Sequence, residues 1–225
     1  MTTETPENRR PLKTRSKGWA TGMAASLGKA GVSPDTISFL SVAFAGLGSA
    51  ALLLGGMTEG PGRIVWLLLA AVCIQLRLLA NMMDGMVAVE HGRGGPAGPI
   101  WNELPDRIAD VLFLVAAGYG AVSAGIVAGE WLGWTAGVLA VMTAYVRELG
   151  RGLGFPADFR GPMAKPHRMF VLTVACVISM AEPLWHGRGQ VMMIALGVIA
   201  VGALITLVRR TRTLAIRLDD QAGNP

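Results

Sequence analysis

The chain has 225 residues, of which 52% are apolar and only 16% charged, and its mean hydropathy is +0.48. That balance excludes a soluble globular domain and a disordered chain, and 30 Gly scattered without a period beside 12 Pro exclude collagen-like and low-complexity classes. A net charge of +5 would suit nucleic acid, but the basic residues flank apolar runs, which points to an anionic membrane surface and phosphorylated substrates and away from nucleic acid.

In chain order, residues 1–35 read as a basic cytoplasmic leader without the short apolar core of a cleavable signal peptide. Its stretch 11–27 mixes basic and apolar side chains, the pattern of an amphipathic helix lying in the inner membrane interface. Ser33-Pro34-Asp35-Thr36 then offers an N-cap with proline at the first helical position. Six apolar runs follow, near 36–55, 63–90, 99–127, 131–153, 166–185 and 191–208. Each suits a helix crossing roughly 30 Å of hydrocarbon and is too long for a barrel strand. Cys73 and Cys176 sit far apart inside such runs and read as inert packing residues. The expected fold is an all-α integral membrane protein, six transmembrane helices over 36–210 preceded by the interfacial helix, with a tail at 211–225.

Lys and Arg cluster before the first run, at Arg93, at Arg151, Arg160, Lys165 and Arg168, and after the sixth; the opposite side carries only Arg63 and Arg188. The positive-inside rule then puts both termini on the cytoplasmic face of the inner membrane.

Charges inside spanning helices are costly and usually functional. Here they gather in one hairpin. Asn81, Asp84 and Ala88 recur at three and four residues on the second run, and Asn102, Asp106 and Asp110 recur every four on the third. At about 100° per residue each set forms one stripe. The intervening Gly/Pro-rich loop is short, so the two helices are expected as antiparallel neighbours with Asp84 and Asp106 level, each about 10 Å in at 1.5 Å per residue. Carboxylates facing at about 4 Å repel by about 4 kcal/mol at an effective dielectric near 20, so a cation between them is expected. Mg²⁺ or Mn²⁺ suits an all-oxygen set. Interhelical hydrogen bonding is the competing reading. Gly85 and Ala88 leave room for a ligand or for close helix approach.

This run resembles the signature of the CDP-alcohol phosphotransferases, D-x2-D-G-x2-A-R, a spacer, then G-x3-D-x3-D. Here it reads Asn81-x2-Asp84-Gly85-x2-Ala88-Val89, a spacer, then Gly98-x3-Asn102-x3-Asp106, so the spacing is kept while three identities change. Ser33-Pro34-Asp35-Thr36 is similar to the family's T-P-N-x-x-T element.

The resemblance implies transfer of a phosphoalcohol unit, most simply phosphatidyl from CDP-diacylglycerol, to an acceptor alcohol with release of CMP. It implies membrane lipids around the enzyme and a homodimer. Carried over, Asp84 and Asp106 are metal ligands, Asn81 and Asn102 weaker neutral ones, and Asp106 is the general base. Glu103 is the first candidate to restore lost charge, ahead of Glu90 and Asp110, and Asp110 suits pairing with Arg107 or Arg77 better than ligation. Gly85, Ala88, Gly98, Pro34 and Thr36 would line the donor site, with Arg93 replacing the arginine absent at Val89.

A second basic group lies at Arg151, Lys165 and Arg168. Lys165 and Arg168 bracket Pro166 at a helix start, where backbone N–H groups favour an anion, and the resemblance makes them, with Arg151, ligands of an acceptor phosphate. Two other readings stand beside the enzyme: an inactive relative that binds CDP-lipid or a partner, and a small transporter. The second would need polar residues continuing to the outer side, and these are sparse.

Overall fold

The computed structural model describes residues 17–90 and 98–222, and those residues form helices and turns with no strand. Seven α-helices follow in order: α1 Gly18–Lys29, α2 Pro34–Met57, α3 Gly60–Glu90, α4 Gly98–Ser123, α5 Gly129–Gly152, α6 Lys165–Ser179 and α7 Gln190–Ala222. A 3₁₀ turn, Glu182–Trp185, stands between α6 and α7. Three described helices, Pro34–Met57, Gly60–Ala88 and Gln190–Ala222, are long and apolar enough to cross a membrane. Large apolar side chains such as Phe39, Val65, Ile194 and Val201 stand exposed on outer faces, the surface a hydrocarbon environment accepts and water does not.

The helices close into a ring in the order α2, α4, α5, α7, α6, α3 and back to α2. The loop-based expectation that α3 and α4 pack as neighbours is corrected here: α2 packs against both, and the two touch each other little. The cause is α2's small-residue surface. A Cβ on Gly56 would stand 2.0 Å from the Gly120 carbonyl oxygen, and one on Gly48 would stand 2.7 Å from the Phe113 ring. Only glycine lets α2 and α4 approach so closely. The core inside the ring is built from Ile74, Phe113, Leu114, Met169, Leu172, Leu196 and Ile199, and the free Cys73 and Cys176 are buried in the same interior.

Three boundaries differ from the sequence reading. The leader helix begins at Gly18, with residues 1–16 outside the described set; it buries Ala20, Ala24 and Gly28 as one stripe and packs on α3. α6 stops at Ser179, because the fully buried Glu182 accepts the backbone N–H groups of Gly189 at 2.9 Å and Val191 at 2.8 Å, capping α7, while pairing with Arg63. α7 continues through the expected tail to Ala222. Thr206 accepts from the Met163 N–H at 3.0 Å, Arg210 donates to the Thr143 and Arg160 carbonyls at 2.8 and 3.0 Å, and Arg217 stacks on Phe155.

Gly56→Ala is expected to destabilise the protein by about 1–3 kcal/mol through forced separation of α2 and α4. Gly46→Ala, where a Cβ meets nothing within 4 Å, is expected to leave stability unchanged or slightly higher. Thermal unfolding of both variants in detergent makes the comparison.

Candidate active site

The stripe on α3 carries Arg77, Asn81, Asp84 and Ala88, and α4 turns Asp106 and Asp110 toward it across the ring. Arg77 is fully buried. Its Nη2 donates to the Asp106 carboxylate and backbone carbonyl, both at 3.1 Å, and to Asp110 Oδ1 at 3.3 Å. From α6, Arg168 Nη2 donates to the other Asp110 oxygen at 2.6 Å. Lys165, the first residue of α6, donates to both Asn81 Oδ1 and Asp106 Oδ2. Asp84 is buried, accepts from Ser38 of α2 at 2.8 Å, and lies in electrostatic range of Asp106 and Lys165. Three carboxylates thus meet three cations at the junction of α3, α4 and α6.

The segment ahead of α6 fixes where Lys165 and Arg168 emerge. Gly161 has φ +124° and lies against Thr206, a conformation and a contact that exclude a side chain. His167 Nδ1 meets the Pro162 carbonyl at 2.9 Å, and Arg168 Nη1 donates to the Met163 carbonyl at 2.9 Å. Arg147 stacks on Phe159. Burial opposes charge on Asp158 in the same segment, but bonds from the Arg160 guanidinium and backbone N–H prevail and hold its carboxyl below the ordinary range.

The remaining expected site residues sort into three groups. Pro34 and Thr36 form the first turn of α2, where Ser33 caps the helix and accepts from the Thr36 N–H at 3.1 Å; it is Ser38, two residues on, that reaches Asp84. Gly85 and Ala88 share the polar stripe of α3, and Gly98 opens α4. Arg93 and the side chains of Asn102 and Glu90 lie outside the described residues.

Two expected groups meet partners within the protein. Glu103 is held by Arg107 and Arg147, in a chain that runs on through Glu148 to Arg151 and ties α4 to α5, so it faces guanidinium groups instead of Asp84. The phosphate trio is divided: Arg151 ends that chain, while Arg168 is 2% exposed and committed to Asp110. An incoming phosphate would have to displace a buried carboxylate to reach Arg168. Asp110 pairs with Arg77, as its position suggested, and with Arg168, which the sequence reading had assigned elsewhere. Sequence reasoning also missed Ser38 and the reach of Lys165. Serines are common in apolar helices, and nothing in linear spacing aims α6 at α3.

Among the described residues no three His, Cys, Asp or Glu side chains converge as a metal site. The oxygens of the Asn81 amide and the Asp106 carboxylate meet on Lys165, and the Asp84 carboxylate, held by Ser38, lies in electrostatic range of Asp106.

No family model matches the chain. Among characterised proteins it is 27% identical to the phosphatidylinositol phosphate synthase of Streptomyces avermitilis, over 86% of this chain and 77% of that one. It is likewise 27% identical to the proteins of that name from Mycobacteroides abscessus, over 84% of this chain and 80% of that one, and Mycolicibacterium smegmatis, over 88% and 83%. The fold is similar to crystal structures of Mycobacterium tuberculosis phosphatidylinositol phosphate synthase. The structure in complex with manganese and citrate gives a TM-score of 0.67 at 21% identity, over 86% of this chain and 88% of that one. The structure with CDP-DAG bound gives 0.68 at 21%, over 86% and 92%.

Because Asp110 neutralises Arg77 and Arg168 together, Asp110→Asn is expected to destabilise the protein by about 3–5 kcal/mol. Adding Arg168→Met is expected to recover part of that loss, and a double-mutant cycle read by unfolding in detergent measures the coupling.

Proposed function

We propose, for a chain that belongs to the CDP-alcohol phosphotransferase family, that it transfers a phosphatidyl group from CDP-diacylglycerol to an acceptor alcohol and releases CMP. The observation that carries the reading is the convergence of Asn81, Asp84 and Asp106 at one buried junction of the ring, at the spacing the family signature keeps. The donor set fits a hard divalent cation: all its atoms are oxygens, and it already accepts one cation, the Lys165 ammonium. Asp84, Asp106, Asn81 and Asn102 would hold Mg²⁺ or Mn²⁺, with Glu103 left to its two arginine partners. The ion, when bound, neutralises charge on the donor diphosphate.

The protein's own groups do the rest. Asp106 takes the proton of the acceptor hydroxyl as that oxygen forms a bond to the phosphatidyl phosphorus, and the bond from this phosphorus to the bridging oxygen of CMP breaks. Ser38 orients Asp84, and Arg77 holds Asp106 in place through two bonds. Gly85, Ala88 and Gly98 offer little bulk beside the donor, Pro34 and Thr36 set the start of the helix that carries Ser38, and Arg93 adds a cation near the diphosphate. Lys165 and Arg151 meet an acceptor phosphate. Since the three relatives share one name, a phosphorylated inositol heads the acceptor panel.

Six helices, α2 to α7, cross the inner membrane as one unit over 36–210, with α1 in the cytoplasmic interface and both termini and the site on that side. Arg107, Arg147, Arg151, Lys165 and Arg209 all fall at that end, which supports the orientation. The working unit is a homodimer. A second reading, binding of CDP-lipid without turnover, draws on the neutral Asn81 and Asn102.

The test is CMP release from labelled CDP-diacylglycerol by purified protein with Mn²⁺ or Mg²⁺ and a panel of acceptors. Metal-dependent release that falls about 100-fold or more in Asp106→Asn is the expected outcome. Nucleotide binding without release selects the second reading, and neither activity with any acceptor removes the proposal.

A further inference from the structure

We propose that Lys165 is the resident counter-cation of the Asn81 and Asp106 oxygens, so that a divalent ion enters only together with the donor's diphosphate and sends the ammonium on to an anionic substrate group. The inference rests on the function proposed above and adds a positioning residue and an order of binding to it.

Three observations carry it. Lys165 Nζ donates to the same two oxygens, Asn81 Oδ1 and Asp106 Oδ2, that a divalent ion would need. An ammonium and a metal ion cannot share them, so occupancy by one excludes the other. The acids of the junction already have cations of the protein against them: Asp84, Asp106 and Asp110 stand with Arg77, Lys165 and Arg168, all but Lys165 at most 5% exposed, and Arg107 lies in electrostatic range of Asp106 and Asp110. A divalent ion that arrives alone and displaces the ammonium would add one net positive charge to a buried site, whereas one arriving with a diphosphate brings its own compensation. Finally, the exchange needs only a side chain to move. The backbone before α6 is anchored by Thr206 and Pro162, while Lys165 has a flexible four-carbon stem and a side chain 22% exposed. A neutral amide at Asn81 favours the exchange, since it binds a divalent ion less strongly than a carboxylate would.

Mn²⁺ titration followed by electron paramagnetic resonance tests this without turnover. Purified wild type, Lys165→Gln and Lys165→Arg are titrated with and without CDP as the soluble diphosphate probe. Wild type is expected to bind Mn²⁺ weakly alone and about tenfold or more tighter with CDP. Lys165→Gln is expected to bind Mn²⁺ without CDP about tenfold tighter than wild type and to lose most of the CDP effect, while Lys165→Arg keeps it. Equal Mn²⁺ affinity of wild type and Lys165→Gln without CDP overturns the inference and leaves the proposed function standing, provided CDP and Mn²⁺ still bind. If Lys165→Gln does not fold, wild type decides alone, because Mn²⁺ binding that is indifferent to CDP overturns the inference. No Mn²⁺ binding by any form, with CDP or with CDP-diacylglycerol, overturns both.

Discussion

The junction of α3, α4 and α6 is held by two cations reaching across the ring: Arg77 grips Asp106 and Asp110 together, and Arg168 takes the far oxygen of Asp110. Each group is buried, so none tolerates the loss of its partner. This constraint sets the geometry of the site. With Asp110 fully engaged, Asp106 becomes the carboxylate of α4 left to face Asn81, and Lys165 is carried there by the start of α6. The ion pairs that hold the helices therefore also decide which acid of α4 faces α3.

The ring around the junction divides the work between packing and polarity. At one end, glycines let α2 lie between α3 and α4, and Glu182 with Arg63 secures the start of α7. At the other, cations and acids tie α4 to α5 and hold the segment before α6. The core between the two ends is apolar and close packed, which keeps the opposing acids at fixed separation. A site for a charged diphosphate needs such rigidity, because groups that must meet both a metal ion and a phosphorus atom lose effect when displaced by about 1 Å.

Much of this was legible in the residues. Apolar run lengths gave the helices to within a few residues except at α6 and α7, and the spacing of Asn81, Asp84 and Asp106 marked side chains that lie at one junction of the ring. What was not legible depends on contacts between distant segments. A short loop implied that α3 and α4 pack side by side, but helix adjacency follows from which surfaces fit, and Gly48, Gly56 and Gly120 gave that place to α2. A basic residue at a helix start looked like a phosphate ligand, and for Arg168 the nearest anion proved to be Asp110 of the protein itself. Glu103 stood next to a motif position, yet adjacent residues on a helix point about 100° apart, and its own direction met Arg107 and Arg147.

The claim beneath these points is that Asp84 and Asp106 exist to hold a divalent ion that manages a diphosphate. Anomalous diffraction at the manganese edge, on crystals grown with Mn²⁺ and CDP, addresses it most directly. A peak between the two carboxylates with the diphosphate oxygens against it is the expected result. A map without that peak at saturating Mn²⁺, or with Asp84 turned out of the ring, would contradict it.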